Sequence, residues 1–95
     1  NEMLVALSVT RQHLGRWYSR STNIRNGDSN FTAAKSNYDL ALAEAEEVGR
    51  DDLQGLVHAR IGDLYKKTKD HKQALIHYQA AHTKLANDSD WFHVF

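Results

Sequence analysis

The sequence predicts an all-α fold built from helical hairpins, and three observations support this class. Residues that favour helix, above all Ala and Leu, are frequent, and the 95-residue chain contains no Pro. Apolar residues recur at spacings of three and four positions along most of its length. A set of small and aromatic residues recurs after 40 residues, which indicates internal repetition.

The first predicted helix runs from about Glu2 to Ser19. We expect its apolar stripe to face the core; the stripe consists of Leu4, Leu7, Leu14, Trp17 and Tyr18. A polar stretch at about 20–30 follows and predicts a long loop. Its Asn26-Gly27 pair favours a tight turn, but no alternating strands flank it, so a β-hairpin is not expected. The sequence leaves two interpretations of this loop open: it is a binding element, or it only connects the two helices.

The second predicted helix runs from about Asn30 to Val48. Its inner face is expected to contain Phe31, Ala34, Tyr38, Ala41, Leu42, Ala45 and Val48. Gly49 follows directly, at the position where a left-handed residue commonly ends a helix. Asp51 or Asp52 is expected to cap the start of the next helix.

The third predicted helix runs from about Asp52 to Thr68, and its inner face is expected to contain Leu53, Val57, Ile61, Leu64 and Tyr65. The fourth runs from about His71 to Ala86. Its predicted inner face contains Ala74, Leu75, Tyr78, Ala81 and Leu85. The aromatic segment 91–95 then predicts the start of a further helix or a segment that caps the others.

The repeated residues alternate small and large side chains on facing helices. Their positions are Leu14, Gly15, Tyr18, Ala34, Tyr38 and Ala41 in the first half, and Ile61, Gly62, Tyr65, Ala74, Tyr78 and Ala81 in the second. The first three recur after 47 residues and the last three after 40. A mid-helix Gly costs about 1 kcal/mol relative to Ala, and it is tolerated where a neighbouring helix must approach closely. The pattern therefore predicts two helical pairs, each locked by small residues against a Tyr.

This pattern resembles the tetratricopeptide repeat family over about Val9 to Asp88. It is similar to the long, 40-residue variety found in spindle and polarity adaptors with GoLoco motifs and in rapsyn-like scaffolds. The resemblance implies two helix-turn-helix repeats of an α-solenoid within 1–90, at about 1–48 and 49–88. Arg11 and His58 stand where the family carries a large apolar residue.

The family resemblance implies a protein-protein interaction module of a scaffold or adaptor protein. Such modules hold a peptide or a partner helix in a concave groove lined by the first helix of each repeat. Carried over to this sequence, the groove positions are Gln12, Arg16, Arg20, Ala59, Asp63, Lys66 and Lys67. Most of the charged ones are basic, so an acidic or C-terminal segment is the expected ligand. For Lys66 and Lys67, a solvated helix end that complements the macrodipole is the alternative.

A second functional hypothesis is a regulatory or sensor segment of a larger enzyme or ATPase, with the catalysis elsewhere. Six His residues include no pair at i, i+4 and no HExxH motif, so we interpret them as scattered surface residues. The sequence also contains no nucleophile elbow and no phosphate loop. We therefore expect no metal site, no cofactor and no enzyme activity in this chain.

Charge and cysteine content narrow the partners. Twelve basic and twelve acidic residues balance, which argues against nucleic acid as a ligand. The absence of Cys fits the cytoplasm or another reducing compartment, and no apolar run reaches the roughly 20 residues that membrane insertion requires.

Two repeats are fewer than the three usually needed for stability. Self-association through the open repeat ends or through Trp91–Phe95 is therefore a further expectation.

Overall fold

The computed structural model of the chain describes residues 2–20 and 24–86, and within them the secondary structure consists of four helices without strands. The helices are α1 (Glu2–Ser19), α2 (Ser29–Val48), α3 (Asp51–Lys67) and α4 (His71–Ala86). The predicted all-α class is confirmed, and each predicted helix end lies within one residue of the observed end. No helix among the described residues is long and apolar enough to cross a bilayer. Segment 91–95 lies outside the described residues.

The four helices pack as two consecutive hairpins. Helix α1 packs on α2 and α3 packs on α4, while contact between α2 and α3 joins the two hairpins. The main core lies at this junction and consists of Ile24, Phe31, Ala34, Tyr38, Ala41, Val57, Ile61 and Leu64. All residues predicted for the inner faces of α2 and α3 are buried or half-buried.

The two mid-helix glycines lie directly beneath the rings of tyrosines on the facing helix. A Cβ added to Gly15 would lie 2.5 Å from Cε1 of Tyr38, and one added to Gly62 would lie 2.8 Å from Cε1 of Tyr78. Both distances are well below the roughly 3.5 Å at which carbon atoms pack. The expected close approach is therefore present, and the same contact occurs in both hairpins.

The predicted inner face of α1 is wrong for Leu7, Leu14 and Trp17, which are exposed. Leu4 and Tyr18 are half-buried, and Tyr18 packs against the core. The buried positions of this helix are Ser8, Gln12, Gly15 and Ser19. In contrast, Leu14 is 44% exposed and Trp17 is 63% exposed. Helix α2 approaches α1 so closely that only small or hydrogen-bonded side chains fit between them; Ser8 Oγ, for example, donates to the Ala41 carbonyl at 2.8 Å. The prediction is also wrong for Leu75, which is 57% exposed on α4.

The described part of the loop between α1 and α2 is folded against the core. Ile24 is 4% exposed and belongs to the main core cluster. The turn that follows is closed twice, because the Asp28 amide donates to the Arg25 carbonyl at 3.0 Å and the Arg25 amide donates to Asp28 Oδ2 at 2.8 Å. Gly27 has a φ of 94° within this turn. The loop thus contributes an apolar anchor to the fold.

The helix ends follow the sequence in part. Gly49 has a φ of 71° and ends α2, as predicted. Helix α3 is preceded by Arg50 in an extended conformation, without a side-chain cap, so the predicted cap at Asp51 or Asp52 is wrong. Instead, the Arg50 guanidinium lies 2.5 Å from Asp52 Oδ2 and lowers the pKa of that carboxyl. Asp70 is the residue that caps a helix: its Oδ1 accepts from the Gln73 amide at 3.2 Å in α4.

Candidate functional site

A cleft of about 500 Å³ opens between α1 and α3, on the side of the molecule that carries the first helix of each hairpin. Helices α1 and α3 approach one another less closely than the two members of a hairpin do. The cleft is lined by Arg16, Ser19, Tyr38, Arg60, Asp63, Leu64, Lys66 and Lys67. Its wall therefore contains four basic side chains and one carboxylate.

Arg60 is held in place by a buried side chain of α1. Its Nε donates to Oε1 of Gln12 at 3.1 Å, and Gln12 itself is only 5% exposed. Partial burial and the nearby Arg16 guanidinium lower the pKa of Arg60. Among the ion pairs of the described residues, none involves Arg16 or Arg60. The two guanidinium groups therefore repel each other, and an anion bound between them would relieve that repulsion.

Lys67 and Lys66 differ in what they do at the end of α3. Lys67 Nζ donates to the Ser19 carbonyl at 2.5 Å, so it ties α3 to the last turn of α1. A cation at that position also complements the negative end of the α1 macrodipole. Lys66 is exposed at the edge of the cleft, and none of the hydrogen bonds or ion pairs of the described residues involves its ammonium group. Of the two lysines, Lys66 is the one whose charge is open to a ligand.

The carboxylate of the cleft is already engaged by a tyrosine. Asp63 Oδ1 accepts a hydrogen bond from the Tyr78 hydroxyl. Burial and this carboxylate raise the pKa of Tyr78 to about 12, so its hydroxyl stays protonated and continues to donate. Burial likewise raises the pKa of Tyr38, whose ring covers Gly15. Both tyrosines therefore stay neutral and add no negative charge to the cleft.

The structure brings together four of the seven predicted groove residues. Arg16, Asp63, Lys66 and Lys67 line the cleft. Gln12 is buried behind Arg60, and Ala59 is half-buried outside the lining. Arg20 borders a separate pocket of about 330 Å³, whose other lining residues are Trp17, Tyr18 and Asn30.

Arg60 and Tyr38 line the cleft although the sequence did not predict them there. Arg60 directly follows the predicted groove residue Ala59, so the predicted face of α3 was slightly rotated from the true one. Tyr38 was assigned only a packing role, yet the size of its side chain lets it fill the core and reach the cleft floor. The length of these two side chains is the sequence feature that could have indicated that they reach the cleft.

Two of the six histidines form a stacked pair, so the prediction of scattered surface residues is wrong for them. His58 on α3 and His77 on α4 lie with their Nδ1 atoms 3.2 Å apart and their ring centroids 5.4 Å apart. The Tyr65 ring stacks on His77 at 5.6 Å, and Phe31 meets Tyr65 edge-on at 5.7 Å. Burial lowers the pKa of both imidazoles. At this distance one neutral ring donates to the other.

The two positions that depart from the tetratricopeptide pattern, Arg11 and His58, both find a polar partner on the second helix of their own hairpin. His58 meets His77, and Arg11 Nε lies 2.7 Å from Glu44 Oε1. The polar substitutions are therefore paired across each hairpin. Within residues 2–20 and 24–86, no group of three or more His, Asp or Glu side chains is arranged to hold a metal ion.

The chain matches no protein-family model, no curated protein and no solved structure. The resemblance to tetratricopeptide repeats therefore depends on the residues quoted above.

Proposed function

We propose that this chain is a tetratricopeptide-like interaction module of a scaffold or adaptor protein, and that the cleft between α1 and α3 binds an acidic segment of another protein. The observation that carries the proposal is the group of four basic side chains around one concave cleft. Two of them are guanidinium groups that form no ion pair with any residue in 2–20 or 24–86. We assign no reaction to the chain and expect it in a reducing intracellular compartment.

The charge distribution favours a carboxylate ligand. Asp63, the acidic residue of the cleft wall, already accepts a hydrogen bond from Tyr78. It therefore competes less with a ligand carboxylate for the neighbouring cations. Arg60 is held at Nε by Gln12, so the remaining guanidinium nitrogens are oriented in advance. A guanidinium fixed in this way forms paired hydrogen bonds to a carboxylate with little loss of side-chain entropy.

The dimensions of the cleft fit a few side chains of a longer peptide. A volume of about 500 Å³ lies within the range of pockets that hold a small ligand or a short stretch of side chains. A groove along two parallel helices accommodates an extended peptide or a helix in the mode known for helical repeats. We therefore expect one or two acidic side chains of the ligand to reach Arg16 and Arg60.

Fluorescence anisotropy with a short labelled peptide of alternating Glu and Ala residues tests the proposal. The double variant Arg16→Glu, Lys66→Glu is expected to weaken binding at least about tenfold, because both sites of positive charge become negative. The double variant Arg25→Glu, Lys72→Glu is the matched control, since it changes net charge equally at exposed positions outside the cleft lining.

Equal binding by wild type and the cleft variant would overturn the proposal. An equal loss in the control variant would do so as well, because it would show attraction to net charge alone. Binding in the cleft is also expected to weaken as salt is raised, since the guanidinium groups are only partly shielded from solvent.

A further inference from the structure

An apolar stripe on α1 is exposed to solvent in the described part of the chain. Met3 is 72% exposed, Leu7 38%, Leu14 44% and Trp17 63%. With Thr10 between them, these residues recur at alternating steps of four and three. That spacing places them in one line along the helix and is the spacing of a seam that packs against another helix.

The second hairpin shows what kind of neighbour such a seam accepts. Because Gly15 and Gly62 make the same contact with a Tyr, the two helices can be aligned on these glycines. Thr10, Leu14 and Trp17 then correspond to Val57, Ile61 and Leu64 of α3. In α3 these residues are at most 1% exposed, since α2 covers them. The corresponding face of α1 is thus a surface on which a helix packs.

The surface relief of α1 fits the side chains of an incoming helix. A hollow of about 480 Å³ is lined by Thr10, His13, Leu14, Trp17 and Tyr18. Four of these, at positions 10, 13, 14 and 17, have the spacing of the four-residue hole that receives one knob in a coiled coil. The Trp17 ring meets Tyr18 edge-on with centroids 5.1 Å apart, which supports Trp17 as a projecting knob.

Among the described residues, α4 is polar at two positions where α2 is apolar toward α3. On α2, Phe31 and Leu42 pack in or against the core next to α3. Forty residues later, α4 has His71 and His82 at these positions, and both are exposed. A second copy stacked head to tail would bring these imidazoles onto Leu14 and Trp17. Burying the polar rings against apolar side chains is unfavourable. Most of the exposed large apolar side chains among the described residues lie on α1, whereas α4 exposes Leu75 and Ile76. We therefore take the second copy's own α1 as the counterpart.

We propose that two copies of this chain associate through α1, antiparallel, about a twofold axis near Thr10. The stripe is self-complementary in this arrangement: the Met3 end of one copy lies against the Trp17 end of the other. Glu2 of each copy is brought toward Arg20 of the other, and the two helix dipoles are antiparallel. The stripe offers on the order of 400 Å² per copy, about half of a standard interface, so we expect a weak dimer.

Disulfide cross-linking tests the axis directly, because the natural chain contains no Cys. Thr10→Cys is expected to form a covalent dimer rapidly under mild oxidation. Thr83→Cys on α4 is the matched control: Thr10 and Thr83 are both exposed, and each hydroxyl donates to the carbonyl four residues earlier, at 2.9 and 3.0 Å. Cross-linking of Thr10→Cys no faster than that of Thr83→Cys would overturn the proposal.

A mixture of Leu7→Cys and Leu14→Cys tests the direction. The mixed pair is expected to cross-link faster than either variant alone, because position 7 of one copy faces position 14 of the other. Faster self-cross-linking of each variant would indicate parallel helices and reject the antiparallel arrangement.

Sedimentation equilibrium over a concentration series provides a second, independent measurement. Leu14→Glu is expected to raise the Kd at least tenfold, while Leu75→Glu, the same change at an exposed position of α4, leaves it within a factor of two. Circular dichroism of both variants shows whether the fold is retained. A wild-type chain that remains monomeric up to millimolar concentration, or that binds through α1 only to a different protein, would contradict the proposal. Loss of association in Leu75→Glu would indicate head-to-tail stacking instead.

Discussion

Gly49 and Lys69 occupy the same left-handed position after α2 and after α3. Their φ angles are 71° and 64°. In both places the next amide donates to the carbonyl five residues earlier, from Arg50 to Ala45 at 3.3 Å and from Asp70 to Tyr65 at 2.9 Å. A side chain in this conformation crowds the backbone and costs about 1–2 kcal/mol, which Gly avoids. The backbone is therefore strained at Lys69, after α3, whereas it is not strained at Gly49, after α2.

Exchanging the residue types at these two positions should have opposite effects. Lys69→Gly is expected to raise the free energy of unfolding by about 1 kcal/mol, and Gly49→Ala is expected to lower it by about the same amount. Urea denaturation followed by circular dichroism measures both changes. A loss of stability in Lys69→Gly would show that the lysine side chain makes a contribution larger than the backbone strain.

The glycines inside the helices illustrate what single residues reveal before a structure exists. Gly15 and Gly62 were recognisable as close-approach points because a mid-helix glycine is unfavourable unless a neighbour needs the space. The structure places Tyr38 and Tyr78 over them. The hydrogen bond from Tyr78 to Asp63 was not predictable in the same way, since it depends on how two helices are rotated against each other.

At the scale of helices, apolar periodicity located the four helices of the described residues, but it did not always identify the face that packs on a neighbouring helix. It correctly gave the buried faces of α2 and α3, which are covered on more than one side. On α1 it selected the stripe with Leu7, Leu14 and Trp17, which is exposed. A periodic pattern shows that one face of a helix is apolar, but it does not show whether another part of the same chain packs on that face. The face that packs on α2 is made of small and polar residues such as Ser8 and Gly15.

The pairing of His58 with His77 could not be read from spacing. The two residues are 19 positions apart on facing helices, so rules for local metal or proton-transfer motifs do not detect them. Around them lie Tyr65 on α3, Glu46, Lys35 and Asp39 on α2, and Lys84 on α4. The pair is thus a junction of three helices.

Stability is expected to fall as the pH drops through the histidine range. Burial lowers the pKa of His58 and His77 in the folded state, so the unfolded chain binds more protons below about pH 6.5. The urea midpoint should therefore be highest above about pH 7 and decrease toward about pH 5.5. In His77→Asn this decrease should be smaller, since one of the two shifted groups is absent. Asn is the residue at the equivalent position of α2, Asn37. An unchanged slope would show that other groups cause the pH dependence.

At the scale of the whole molecule, the two hairpins are joined on opposite sides by different forces. On one side, apolar residues of α2 and α3 form the core. On the cleft side, the connections between α1 and α3 are two hydrogen bonds, from Arg60 to Gln12 and from Lys67 to the Ser19 carbonyl. The general location of the cleft was implied by the resemblance to tetratricopeptide repeats. These cross-connections did not, because they join residues 48 positions apart whose pairing depends on how the hairpins dock.

Removal of the Gln12 amide should loosen the junction. Gln12→Ala leaves the half-buried Arg60 guanidinium without its side-chain acceptor, and we expect a loss of about 1–3 kcal/mol in stability. The thermal transition should also become less cooperative, with a calorimetric enthalpy larger than the van't Hoff value. Gln79→Ala, at an exposed position of α4, is the control. Equal effects of the two substitutions would show that the Arg60 contact does not couple the hairpins.

The order in which the helices pack also has a kinetic consequence. Apart from the contact across the cleft, each helix packs on the helix before or after it in the chain. Such a low contact order predicts folding in microseconds to milliseconds, and the chain has no Pro whose isomerisation would add a slow phase. We expect the local contacts within each hairpin to form before α3 docks on α2, and this docking buries Phe31, Ile61 and Leu64.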